Sequence, residues 1–380
     1  MRKILSDLIH QPEDCEVGVI SCLQTMYYKE EKTELPKGNI RIPGWCPRLN
    51  RRCNQCGFCS DGNGEVGFSL GWPSLHCLLA TISGIALVTP DLSTSDKLSQ
   101  GFEESFLDVV DDYDDYLGFL CQFLGYTHRE YGPDCSKEEL FLKIKECIDQ
   151  DKALMLQSSA DNRWTVIQGY DEEDQSIFIF KWNTVVLAHD PINAKKVKVS
   201  DWYENFSRII HFAKKDKANR ITHRVAFSRL YRLLKNGHDH HYYSNSIAYI
   251  LDDSHYAAVS REVLEREYAK LANLFFGIVV NRCNADWCFD NFYEMPGTNW
   301  AEKFAEDFKF ISMSSALQHD LGQITNGCIL GELHQNGSRE ETIAMLKNRK
   351  NRAVLAQALE LASTIDSRIM DTVWKIATTP

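Results

Sequence analysis

The hydrophobic pattern of this chain changes character near residue 215. Before that point helical and strand-like runs mix with glycine-rich loops, and beyond 220 nearly every segment has helical periodicity. Residues 16–29 read as a helix, 36–74 as a long loop rich in Gly, Pro, Cys and Arg, and the apolar stretch 76–89 as a second helix. An acidic amphipathic pattern covers 102–125, with Asp108, Asp111, Asp112, Asp114 and Asp115 set among Leu, Val, Phe and Tyr. Ser136 is placed to cap a helix over 137–150. Strands are expected at Ala153–Gln157, Trp164–Gln168 and Ser176–Trp182, the last two joined by the turn Gly169-Tyr170-Asp171-Glu172-Glu173-Asp174. A short strand at Val197–Val199, a helix over 200–208 and a strand at Ile209–Ala213 complete the first part. Helices first and an antiparallel sheet second predict an α+β domain over 1–214, followed by an all-α domain over 215–380.

Composition narrows the function classes. At 380 residues, with 44% hydrophobic and 25% charged side chains, the chain suits two ordinary globular domains. A net charge of −11 argues against nucleic acid as a partner, because phosphate contacts need a basic face. The local basic clusters (Lys195, Lys196, Lys198; Lys214, Lys215, Lys217, Arg220) read as solvated surface. No apolar run reaches the roughly 18 residues of a membrane span, and Met1 to Asp14 lacks the apolar core of a signal peptide, so the expected location is the cytoplasm. Thirteen cysteines in that setting mean thiols, a metal site or catalysis rather than a disulfide framework.

The candidate nucleophile is Cys15, which opens an apolar helical run ending in Tyr27-Tyr28. A thiol at a helix N-terminus feels the positive end of the dipole, which favours the thiolate. The amide of Gln11, with the Cys15 backbone N–H, is suited to an oxyanion hole. The plainer reading of the same pattern is a buried cysteine beginning a core helix.

Four stretches together carry a resemblance: Asp14-Cys15 with its helix, the loop from Gly57 through Gly62-Asn63-Gly64-Glu65-Val66-Gly67-Phe68, the run Val166-Ile167-Gln168-Gly169-Tyr170-Asp171, and Ser244-Asn245-Ser246-Ile247-Ala248-Tyr249 in the helical half. In this order they are similar to the papain-fold cysteine peptidase-like superfamily, in particular to bacteriocin-leader peptidases and butirosin-type acyltransferases. The resemblance implies a papain-like N-terminal domain that takes an acyl chain from a carrier-protein thioester onto Cys15 and passes it to a small-molecule amine. It implies a place in natural-product or antibiotic biosynthesis, no cofactor for catalysis, and an acyl or peptidyl carrier protein as partner.

One departure bears on the activity. In the family the catalytic His begins the strand leading to Gly-Tyr-Asp, and here that place holds Asn162-Arg163-Trp164. A thiol nucleophile needs a base or a cationic neighbour. His189, followed by Asp190, is the nearest candidate in sequence, against the plain reading of a surface-loop histidine. Cys77 is an alternative nucleophile at the head of a second apolar run, although His76 diverges from it by about 100° on a helix and Cys77 fits a buried core position. A non-catalytic descendant of the fold, binding its ligand with Trp164, Tyr170 and Trp182, is the alternative function, and a cysteine peptidase the third.

The loop cysteines Cys46, Cys53, Cys56 and Cys59 are spaced to make a tetrahedral thiolate site, a candidate structural zinc; an iron–sulfur cluster or free thiols are the competing readings. His238, His240 and His241 read as solvated or capping residues, and the acidic run 108–115 as a solvated helix face.

Overall fold

A computed structural model describes residues 1–5, 18–31, 45–46, 51–52, 72–109, 113–160, 163–181, 195–257, 259–290, 303–325 and 339–380. The chain is mixed α+β, with one main antiparallel sheet and a helical C-terminal region. In order, the elements begin β1 (Arg2–Ile4), α1 (Gly18–Glu31), β2 (Trp45–Cys46), β3 (Arg51–Arg52), α2 (Trp72–Ser83), α3 (Phe102–Val109) and α4 (Tyr113–Leu124). Then come β4 (Tyr126–Tyr131), α5 (Lys137–Asp149), β5 (Leu154–Ser158), β6 (Trp164–Asp171), β7 (Ser176–Lys181), β8 (Lys195–Val199) and β9 (Phe206–Lys215). The helical run is α6 (His223–Asp239), α7 (Tyr242–Leu251), α8 (Arg261–Asp290), α9 (Ala305–Thr325), α10 (Arg339–Met345) and α11 (Arg349–Thr378).

Two compact units result, Met1–His76 with Leu124–Arg220, and Cys77–Phe123 with Ile221–Pro380. A single cut at 214/215 places residues 77–123 with the sheet; here they group with the later helices. The reason is polar as well as apolar: Asn245 on α7 donates to Asp91 Oδ2 at 2.9 Å, and the buried Lys270 on α8 reaches Asp96 at 2.9 Å.

In the first unit the sheet order is β4-β9-β5-β6-β7-β8, with β1 on the same edge of β6 as β5. All neighbours are antiparallel. The chain β5–β6–β7 matches the alternating apolar pattern. β6 carries a bulge, since Ile167 faces Ile179 but Gly169 faces Phe178. The helix expected over 200–208 is absent. Residues 202–205 form a turn, pinned by the buried Trp202 whose Nε1 donates to Gln175 O at 2.9 Å, and β9 takes 206 onward because β4 and β5 pair with both of its edges. Helix α1 is buried along almost its whole length, Val19, Ile20 and Leu23 being unexposed. Helix α5 starts with the expected cap: Ser136 Oγ accepts from Glu139 N at 3.3 Å, and Ser136 N donates to Glu139 Oε2 at 3.1 Å.

In the second unit α8 and α9 pack along each other, and α11 lies against α6, α7 and α9. Gly277 on α8 is where Phe102 of α3 seats, since a Cβ there falls 2.0 Å from the ring. Among the described residues, no helix is long and apolar enough to cross a membrane.

Candidate functional site

The sheet unit brings two of the sequence-predicted regions to one place. Gly18, in the first turn of α1, lies so close to Trp164 at the start of β6 that a Cβ on it sits 3.4 Å from the Trp164 Cβ. Trp164 is 5% exposed, its indole packed against the helix start. Thr165, the next residue on β6, donates its hydroxyl to Phe180 O at 2.5 Å. The last residues of β7 are therefore beside the first residues of β6, at the end of the sheet where α1 begins. Cys15 stands three residues before Gly18, a reach of roughly 10 Å at most. Gln11, Cys15, His189 and Asp190, like Trp182, lie outside the described residues.

Tyr170 does not join this end. Cross-strand partners share a face, so Tyr170, opposite Ile177, points the same way as Ile167, opposite Ile179. Trp164 and Val166 point the other way, and the bulge is what separates them. The Tyr170 hydroxyl donates to Asp149 at 2.8 Å and receives Lys145 at 3.2 Å, both on α5, while its ring meets Phe141 edge-on. Burial, and then the Asp149 carboxylate, push that phenol up from its ordinary range. Tyr170 is thus a structural link between β6 and α5, on the strand face opposite Trp164. Its neighbours on β6 are equally committed. A Cβ on Gly169 falls 2.5 Å from Lys3 O, and Asp171 Oδ2 pairs with Lys198 on β8 at 2.9 Å.

Cys77 is 2% exposed, with its sulfur 3.6 Å from Asn284 Oδ1. Next to it His76 is 1% exposed with neither ring nitrogen hydrogen-bonded, and burial lowers its pKa to about 4. Cys77 is a buried thiol on α2. Of the loop cysteines, Cys46 ends β2, paired with Arg51 of β3, and Cys53, Cys56 and Cys59 lie outside the described residues. Among the described residues, no three His, Cys, Asp or Glu side chains are grouped to hold a metal.

No family model, curated protein or solved structure matches this chain.

The helical unit holds a second arrangement, which the hydrophobic pattern did not single out. A cleft of about 140 Å³, partly open to solvent, lies between the α6–α7 turn, α11 and residues 87–89. Its wall includes Asp366 and Tyr243. Asp366 Oδ2 receives Arg282 Nη2 at 2.9 Å and the Tyr243 hydroxyl, and Oδ1 receives Gln318 Nε2 at 2.7 Å. Arg282 is 1% exposed and also donates to Ala86 O at 2.6 Å and Thr89 Oγ1 at 3.2 Å. The signal in the sequence is a charge at core spacing: Asp366 stands between Ile365 and Ile369 on the buried side of α11. His238 and His241 sit at the cleft, while the Ser244–Tyr249 segment is partly structural, with Ser246 Oγ accepting from Leu92 N at 2.9 Å.

Proposed function

We propose that the sheet unit is a papain-like thiol acyltransferase that forms an amide through an acyl–Cys15 thioester. What supports the reading is the convergence at one end of the sheet. The start of α1, three residues from Cys15, packs on the start of β6, and the segment carrying His189 and Asp190 departs from the adjoining end of β7. In this scheme the Cys15 thiolate attacks the thioester carbonyl of a carrier-bound acyl group, the carrier thiol leaves, and an amine attacks acyl–Cys15, restoring the thiol. His189, oriented by Asp190, takes the proton from the amine, and Gln11 with the Cys15 N–H holds the oxyanion. No cofactor takes part; zinc on Cys46, Cys53, Cys56 and Cys59 has a structural role only. A natural-product pathway in the cytoplasm, a carrier protein and a small amine are the matching context and partners.

One observation favours a second reading, a non-catalytic binding protein on the same fold: Trp164 fills the family's histidine position and is buried there. Release of thiol and formation of amide from an acyl N-acetylcysteamine thioester and a primary amine separates the two. The acyltransferase reading predicts equal amounts of thiol and amide, none in Cys15→Ser, and a rate lower by roughly 100-fold or more in His189→Gln. The binding reading predicts no product above the uncatalysed rate in any of the three proteins.

A further inference from the structure

Helix α9 leaves four large apolar side chains in solvent: Met313 and Ile324 are 64% exposed, Leu317 is 53% exposed, and Phe310 is exposed as well. At about 100° per residue the four fall within about 60° of one another, so they form one stripe along the helix. The opposite side of α9 is the one that holds the unit together. Ile311, Ser315 and Gln318 are buried, Ser312 Oγ donates to Asp286 on α8 at 2.7 Å, and Gln318 Nε2 donates to Ala362 O and Asp366 on α11. With Gln318 against 362–366 and Asp307 against Lys375 at 2.8 Å, α9 and α11 run antiparallel, which brings the exposed Leu361 and Val354 of α11 alongside the C-terminal half of the stripe. Together these six side chains expose on the order of 500 Å² of apolar surface, which is about 65% of the roughly 800 Å² that each partner buries in a standard homodimer interface.

Two charged residues decide what covers the stripe. Lys309 and Asp320 are both exposed and, eleven positions apart, lie within about 20° of each other on the flank away from α11. We infer that the stripe is the interface of a two-fold homodimer in which α9 packs antiparallel on the same helix of a second copy. A two-fold axis crossing the helix level with Ser315 sets Met313 against the partner's Leu317 and Lys309 beside the partner's Asp320, each pair occurring twice. On the other flank Phe310 meets the partner's Leu321. An isologous interface has to be self-complementary, and this stripe is so in both its apolar and its charged positions. A parallel pairing instead turns the Lys309–Asp320 flank onto the partner's Phe310 and the partner's Leu321, setting charge against hydrocarbon. No residue of the sheet unit takes part, so Cys15 and its chemistry are not involved.

The test is analytical ultracentrifugation of the full chain over a range of concentrations. The wild type is a dimer at about 100 μM and dissociates on dilution, because interfaces of this size hold at micromolar affinity or better. Leu317→Lys, at an exposed helix position that accepts Lys, leaves the far-ultraviolet circular dichroism unchanged and raises the dimer Kd by roughly 100-fold or more. Lys309→Glu and Asp320→Lys each raise it by about tenfold, and the variant carrying both returns it to within about threefold of wild type, as the antiparallel pairing requires. If Leu317→Lys fails to fold, the charge reversals, on fully solvated positions, still decide the matter. A chain that stays monomeric at about 100 μM overturns the inference, whether the stripe is bare or covered by another part of the chain. So does a dimer indifferent to Leu317→Lys, or a loss in the single charge reversals that the double variant fails to repair.

Discussion

Gly169 is decisive for what the Gly-Tyr-Asp turn does. With Lys3 O 2.5 Å from any Cβ placed there, Gly169→Ala pushes β1 off β6. The expected loss is about 1–3 kcal/mol in chemical denaturation, typical of overpacking. Gly277→Ala drives a methyl into Phe102 and costs at least as much; adding Phe102→Ala recovers part of that loss, since the two positions are coupled. At Glu31 burial alone raises the carboxyl, but hydrogen bonds from Tyr126, Lys215 and Lys217 outweigh it and hold it at about 2. A depressed acid stabilises the fold above its unfolded value near 4.5 and loses that contribution as pH falls toward 2. Denaturation of Glu31→Gln should therefore show lower stability than wild type at pH 7 and a difference that closes by about pH 2. At this scale the sequence singled out Trp164 and Tyr170 as a pair. It could not reveal that a bulge at 167–169 turns Tyr170 to the opposite face, because the face a strand residue takes depends on register.

Among the elements, those with strong local signals were legible. Ser136 and Glu139 form the capping box at the head of α5, and Ser136→Ala should cost about 1 kcal/mol, read as a shift in the denaturation midpoint. Strands β5, β6 and β7 follow from alternation and a polar turn. Elements set by long-range pairing were not legible. β4, with the sequence Tyr-Thr-His-Arg-Glu-Tyr, is too polar for an apolar pattern and exists because β9 pairs with it; β1 is three residues long and is held by β6. The helix expected at 200–208 is absent for the same reason, since its last three residues belong to a strand paired on both edges.

Across the whole chain, the two-part organisation was visible as a change of texture, but the membership of 77–123 was not, because it rests on contacts with residues more than 150 positions away. The sheet unit contains two histidines kept neutral. Burial lowers both His76 and His211 to about 4, and at His211 the charges of Lys152 and Arg129 add to the effect. Unfolded histidine takes a proton near pH 6.5, so stability is full above that value and declines as pH falls from 6.5 to about 4. Each accounts for a loss on the order of 3 kcal/mol over that window, about 6 kcal/mol together, and a His76→Leu, His211→Leu double variant that still folds should show a flatter profile. The helical unit adds the buried pair of Arg282 and Asp366 at core positions, a pattern a sequence shows only as isolated polar residues on an apolar face.

The central claim is that Cys15 carries an acyl group at the sheet end shared by α1, β6 and β7. Mass spectrometry of the intact chain and its Cys15 peptide, after incubation with an acyl-carrier thioester and no amine, tests it most directly. The account predicts one acyl mass on the Cys15 peptide, absent in Cys15→Ser and removed by adding an amine. No adduct, or an adduct on another cysteine that persists in Cys15→Ser, contradicts it.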